Sequence, residues 1–258
     1  SISWLYYSDR LMEFPLGILG VALGTVILPK LSRQHAAASP EAFSLTLDWA
    51  LRWVLLLGLP AAVGLFALAG PMIATLFYSG EFTGYDVLMA ERSLMAYALG
   101  LLAFLGIKVL APGFYSRQDM QTPVNIAVVA MMINISLNIL LMEPLGHAGL
   151  ALATVIAAAA NAALLLRGLS AQGVYRPLPG WGLLLLKGLI ASLLMGALLW
   201  FASGPTAAWT DWTVIERILR LAGLLAIGAL CYALAALLFG IRPRHLLRMD
   251  PQAKPAAT

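Results

Sequence analysis

The chain has 258 residues, of which 61% are hydrophobic and 11% charged, with a mean hydropathy of +0.88 and a formal net charge of +4. Soluble domains are roughly 45–50% apolar and about 25% charged, so the composition excludes a soluble fold and points to a multi-pass membrane protein. The basic residues therefore mark loops rather than a nucleic-acid surface, and the one cysteine, Cys231, excludes an internal disulfide.

Seven apolar segments are predicted, all as helices. A strand would leave unsatisfied edges in lipid, and the runs lack the polar/apolar alternation of a barrel. The first covers about residues 2–31 and the second about 47–77, broken near Pro60 and Pro71. The third, about 87–115, carries Lys108 in its interior. Pro123 opens the fourth, about 123–142. The turn Glu143-Pro144-Leu145-Gly146-His147 opens the fifth, about 148–169. The sixth and seventh cover about 181–202 and 214–239, and a polar tail follows.

The loops alternate in charge. One side collects Lys30, Arg33, Arg117, Arg167, Arg176, Arg242, Arg244, Arg248 and Lys254. The other collects Glu81, Asp86, Glu91, Glu143 and Asp211, with Arg92 and Arg217 near helix ends. The positive-inside rule places the first set in the cytoplasm, so the chain begins outside and ends inside. Trp181, Trp209 and Trp212 sit at segment ends, where interfacial belts are expected. His35, His147 and His245 fall in loops or the tail and are expected to be solvated. There is no initiator Met and no signal peptide, from which a fragment or one piece of a divided protein is expected.

The first segment carries Asp9, Arg10 and Glu13. Charges inside a spanning helix cost roughly 2.5–3.5 kcal/mol each and face a water-filled cavity or a partner. Arg10 and Glu13 share a helix face, and Asp9 lies about 100° away. A guanidinium grips phosphate oxygens bidentately, but an arginine near a helix end also snorkels to the interface. Position alone leaves both open. Asp9 and Glu13 fit as partners that hold Arg10, or as plain neutralising charges. Pro15 predicts a bend or break, and Gly17, Gly20 and Gly24 a small-residue face, the pattern of a discontinuous transporter helix. Lys108 is a phosphate contact, a partner for an acid across a cavity, or a snorkelling side chain at the inner helix end. Asn134 and Asn138 share a face of the fourth segment, with Thr154 and Asn161 on the fifth. From the residues alone they are interhelical hydrogen bonds, worth about 0.6 kcal/mol on average. No nucleotide loop, metal-ligand cluster or Ser/His/Asp set is present, so no enzyme, cofactor or metal is expected.

The run WLYYSDRLMEFPLGILGVALGTVILPKLS, residues 4–32, closely resembles the MurJ (MviN) family of lipid II flippases, within the multidrug/oligosaccharidyl-lipid/polysaccharide exporter superfamily. A second similar run is KVLAPGFYSRQDMQTPV, residues 108–124, and the similarity continues almost to the C-terminus. The resemblance implies the last seven of fourteen helices, in an alternating-access transporter of the bacterial cytoplasmic membrane. It implies that residues 1–172 form most of a C-lobe, 173–241 two extra helices grooved for a lipid tail, and 242–258 a cytoplasmic tail.

Lipid II, the missing N-terminal half and membrane lipids are the partners implied. Arg10 matches the family's essential arginine and is the expected diphosphate ligand, with Lys108, and with Ser3 at a cavity-facing position. Some relatives bind sodium through an acid where this chain has Asn138, which adds a monovalent-cation site as the alternative for Asn134, Asn138 and Thr154. Coupling to membrane potential or a monovalent cation is therefore expected, with little sodium dependence. A multidrug or polysaccharide-lipid exporter of the same fold, and a non-transporting membrane scaffold, are the alternatives.

Overall fold

Apolar runs without water to satisfy their backbone must bond internally, and this chain does so by forming helices throughout. The computed structural model describes residues 2–241, so the expected tail at 242–258, with Arg242, Arg244, His245, Arg248 and Lys254, lies outside the described residues. Eight helices follow in order: α1 (Ile2–Ala36), α2 (Pro40–Ala67), α3 (Ala69–Phe77), α4 (Gly84–Tyr115), α5 (Gln121–Ala171), α6 (Trp181–Ser203), α7 (Thr206–Asp211) and α8 (Val214–Leu238). Six of them are long and apolar enough to cross a membrane.

The long α5 makes two crossings. A straight rod of 51 residues would span about 75 Å, more than twice the roughly 30 Å of a bilayer core. Gly146 takes φ 56° and ψ −131°, a conformation that favours glycine, and the chain doubles back there. The two arms close so tightly that a Cβ on Gly149 would strike the Leu141 carbonyl. The Asn134 amide donates to Thr154 across the hairpin at 3.2 Å. Seven crossings result, with the turn inside the expected Glu143–His147 stretch. At the start of α5, Asp119 accepts from the Thr122 N–H at 3.0 Å. That bond and one from the Thr122 side chain hold the Asp119 carboxyl below the usual carboxylate range.

The bundle is organised on α4, which packs against α5, α1 and α2, while α6 and α8 lie against α2, α3 and each other. Close approach depends on missing side chains. A Cβ on Gly100 of α4 would meet Val155 of α5 at 2.6 Å, and one on Gly196 of α6 would overlap Val63 of α2.

The prolines meet expectation only in part. α1 runs without interruption through Pro15 and Pro29. The second segment breaks at Leu68 (φ −104°, ψ 16°), three residues before Pro71, where a break was expected. Pro60 stays inside α2. Its absent N–H frees the Leu56 carbonyl, and the Tyr232 hydroxyl of α8 donates to that carbonyl at 2.6 Å.

Two buried charges tie α6 and α8 to the rest. Arg217 of α8, 6% exposed, donates to the Ala74 and Tyr78 carbonyls at the end of α3, at 2.7 and 3.1 Å, and to the Trp212 carbonyl at 3.0 Å. The carbonyl end of α3 supplies the negative dipole that a buried cation needs.

The second charge is Asp48 of α2, fully buried, which meets Arg52 at 2.6 Å. Its other oxygen accepts from the Tyr175 hydroxyl at 3.0 Å, the Leu178 N–H at 3.1 Å and the Trp181 indole at 2.8 Å. The 172–180 linker is thereby clasped to α2. Burial, then the charge of Asp48, pushes the Tyr175 phenol above its ordinary range.

Two of the tryptophans expected in interfacial belts find acceptors within the protein. Trp181 donates to Asp48, and Trp209, 1% exposed, donates to the Ser203 carbonyl at 2.9 Å. An indole N–H that finds a protein acceptor has no need of a lipid headgroup.

Candidate functional site

Arg10 and Glu13 lie on one side of α1. The Arg10 guanidinium meets the Glu13 carboxylate at 3.1 Å and lies 5.1 Å from the Tyr6 ring centroid. Three- and four-residue spacing on a helix brings these three together. The pair is open, with Arg10 and Glu13 side chains 58% and 51% exposed, and Phe14, Ile18 and Val21 continue the exposed surface of the helix. Asp9 is half-buried on the side facing Tyr97 of α4. Glu13 makes the ion pair with Arg10, while Asp9 lies on the α4 side of the helix.

The start of α1 is pinned to α4 by short contacts. The Ser8 hydroxyl donates to the Ala90 carbonyl at 2.7 Å, and the Trp4 indole to Asp86 at 2.7 Å. Asp86 also completes the Thr83 capping box that starts α4. Ser3 is exposed one turn above Tyr7, in a recess of about 500 Å³ shared with Trp4, Glu81 and Asp86. His147, expected to be solvated, packs edge-on to Trp4 at 5.0 Å and lies 2.9 Å from the Met89 carbonyl.

Lys108 lies inside its segment, as expected, and its side chain is exposed. Gly20 of α1 explains this: a Cβ there would lie only 3.4 Å from Lys108 Cγ, so the lysine stem crosses α1 at its missing side chain. Gly20 is ten residues beyond Arg10, about 15 Å along the axis. The two cations thus arise at different heights along one helix. Lys30, expected in a loop, is buried in the last turns of α1 with its ammonium 5.6 Å from the Trp49 ring centroid.

Asn134, Asn138 and Thr154 do come together. Asn138 donates to the Asn134 carbonyl at 2.9 Å, Asn134 donates to Thr154, and Thr154 donates to the Leu150 carbonyl at 3.0 Å. The chain of bonds staples the α5 hairpin and leaves Asn138 Oδ1 buried without a partner. One free amide oxygen with no carboxylate makes a poor cation site, whereas the ladder itself is what interhelical polar groups ordinarily form. Among the described residues no group of three His, Cys, Asp or Glu side chains could hold a metal.

Sequence reading missed Asp48 and Arg52. Their four-residue spacing inside an apolar run was the local signal.

A family model described as lipid II flippase MurJ matches residues 1–223. The probable lipid II flippase MurJ of Vibrio cholerae is 49% identical over 247 residues, covering 95% of this chain and 47% of its own length. The lipid II flippase MurJ of Burkholderia cenocepacia is 41% identical, covering 90% of this chain and 45% of its own length. A solved lipid II flippase MurJ in an inward closed conformation superposes with a TM-score of 0.75 at 28% identity, over 96% of this chain and 48% of that one. An inward-facing multidrug transporter of the MATE family matches the fold alone, with a TM-score of 0.50 at 18% identity over 96% of this chain and 61% of that one. The chain spans about half the length of the curated relatives it matches.

Proposed function

Because this chain belongs to the MurJ family of lipid II flippases, which are transporters rather than enzymes, we propose that it is one half of an alternating-access flippase for lipid II. In this reading it works in the bacterial cytoplasmic membrane, with the start of α1 outside and the end of α8 in the cytoplasm. The carrying observation is the Arg10–Glu13 pair, more than half exposed on a helix long enough to cross a bilayer. A charged pair left open at that depth needs a polar cavity, which a second transporter half facing α1 would enclose. Arg10 grips the diphosphate there, Glu13 sets its orientation, and Ser3 lies at the outer rim.

Lys108, about 15 Å deeper, offers the same phosphates a second station on their way from the cytoplasm. Residues 1–172 belong to the moving lobe. Residues 173–241 carry the lipid tail, for which an apolar groove between α2 and α8, lined by Trp53, Leu57, Tyr232 and Leu237, has the matching chemistry. Membrane potential or a monovalent cation resets the cycle.

The test is translocation. Membranes in which the protein containing this chain is the sole flippase are given lipid II on the cytoplasmic leaflet, and its appearance outside is followed. Arg10→Ala should abolish transport at unchanged protein levels. Parent-like transport in Arg10→Ala would overturn the reading.

A further inference from the structure

Arg10 has two neighbours of different kinds on its own helix. One is Glu13, whose carboxylate meets the Arg10 Nη1 at 3.1 Å. The other is the Tyr6 ring, with the Arg10 Cζ lying over it at 5.1 Å from the centroid. Tyr6 stands four residues before Arg10 and Glu13 three after, so one helix face carries all three. The two contacts restrain the guanidinium in different ways. A pair made through one nitrogen leaves the guanidinium plane free to turn about that bond. A ring face against Cζ opposes the turn, because the cation is drawn to the negative face of the π system. The N–H donors not spent on Glu13 are then presented in one orientation.

Tyr6 is itself held. Its ring stands edge-on to Tyr7 at 5.7 Å. Tyr7 packs on Phe77 at the end of α3 at 4.5 Å, and edge-on to Phe82 of the α3–α4 loop at 5.3 Å. Contacts between aromatic rings at these separations are attractive, so a line of rings runs from the α3–α4 corner out to Arg10. Tyr6 is 55% exposed, so the fold gains little from burying it.

We propose that Tyr6 is a positioning residue for the headgroup, whose ring fixes the plane of the Arg10 guanidinium so that the fork meets a diphosphate already oriented. The inference rests on the reading of Arg10 as the diphosphate ligand. A side chain held in its bound orientation gives up less freedom on binding, and affinity rises accordingly. The ring does this and the hydroxyl does not, which separates Tyr6→Phe from Tyr6→Leu.

The test is a double-variant cycle on lipid II binding by the purified protein containing this chain, at matched levels of folded protein. Tyr6→Phe keeps the ring and should bind like the parent. Tyr6→Leu should bind about two- to fivefold more weakly, the value of one exposed cation–π contact. In an Arg10→Ala background the Tyr6→Leu change should cost nothing further, whereas a tyrosine with a merely structural role would cost the same with Arg10 or without it. Parent-like binding by Tyr6→Leu, an equal loss in Tyr6→Phe, or a Tyr6→Leu loss that persists without Arg10 overturns the proposal alone. Parent-like binding by Arg10→Ala overturns the headgroup reading, and the proposal with it.

Discussion

Replacing Asp48 with alanine tests the clasp between α2 and the 172–180 linker. Asp48 is fully buried and Arg52 is 5% exposed, so the substitution leaves a guanidinium in the core without its counter-charge. Breaking one side of a buried pair costs about 3–5 kcal/mol. Three more donors, from Tyr175, Leu178 and Trp181, lose their acceptor at the same time, at about 1–3 kcal/mol each and not additively. A loss of at least about 3 kcal/mol is expected, read from chemical unfolding in detergent, with faster hydrogen exchange across 172–180.

The double variant Asp48→Leu with Arg52→Met sharpens the test. An isolated buried pair replaced by apolar residues returns to parent stability or better. Here the three orphaned donors remain, so the double variant should stay below the parent. The pH dependence has a sign. Tyr175 has a raised folded value, so its bond to Asp48 contributes fully below about pH 10 and is lost only as pH climbs through that raised value. The stability difference between parent and Tyr175→Phe should be flat from neutral pH to about 10. An Asp48→Ala protein within about 1 kcal/mol of the parent would refute the reasoning.

Three further outcomes are expected. Lys108→Ala should slow flipping several-fold without loss of folded protein, because its exposed ammonium contributes little to packing; unchanged transport would remove it from the path. Sodium dependence should be weak, and Asn134→Ala should lower stability by about 0.6 kcal/mol through the loss of its interhelical bond to Thr154; a steep sodium dependence that vanishes in Asn138→Ala would make the α5 staple a cation site instead. Single cysteines at Ser39 and Ser79, in a Cys231→Ala background, should react with an impermeant maleimide from inside and outside respectively; labelling at Ser39 in intact cells would invert the orientation.

What the sequence disclosed was local. The Arg10–Glu13 spacing, the apolar runs and the turn ending in Gly146 depend on residues a few positions apart, and all reappear in the structure. What it hid depends on distant partners. Pro60 reads as a break until Tyr232, far along the chain, takes the carbonyl it frees. Asp48 and Arg52 read as an ordinary helix pair until the linker supplies Tyr175 and Trp181, 127 and 133 residues away. Arg217 reads as a helix-end charge until the end of α3 offers its carbonyls. The surroundings of Lys108 were hidden for the same reason: depth within a segment does not say which neighbour lacks a side chain, and Gly20 is on another helix.

Lipid II binding by the Arg10, Lys and Ala forms is the most direct test of the account. A lysine keeps the charge and loses the fork, and one charge-assisted hydrogen bond is worth about 1.5–3 kcal/mol. Arg10→Lys should therefore bind roughly tenfold to hundredfold more weakly than the parent. Arg10→Ala should bind more weakly still, since Glu13 would then face the diphosphate uncompensated. Equal dissociation constants for the three forms, at matched protein levels, would contradict the claim that Arg10 holds the headgroup.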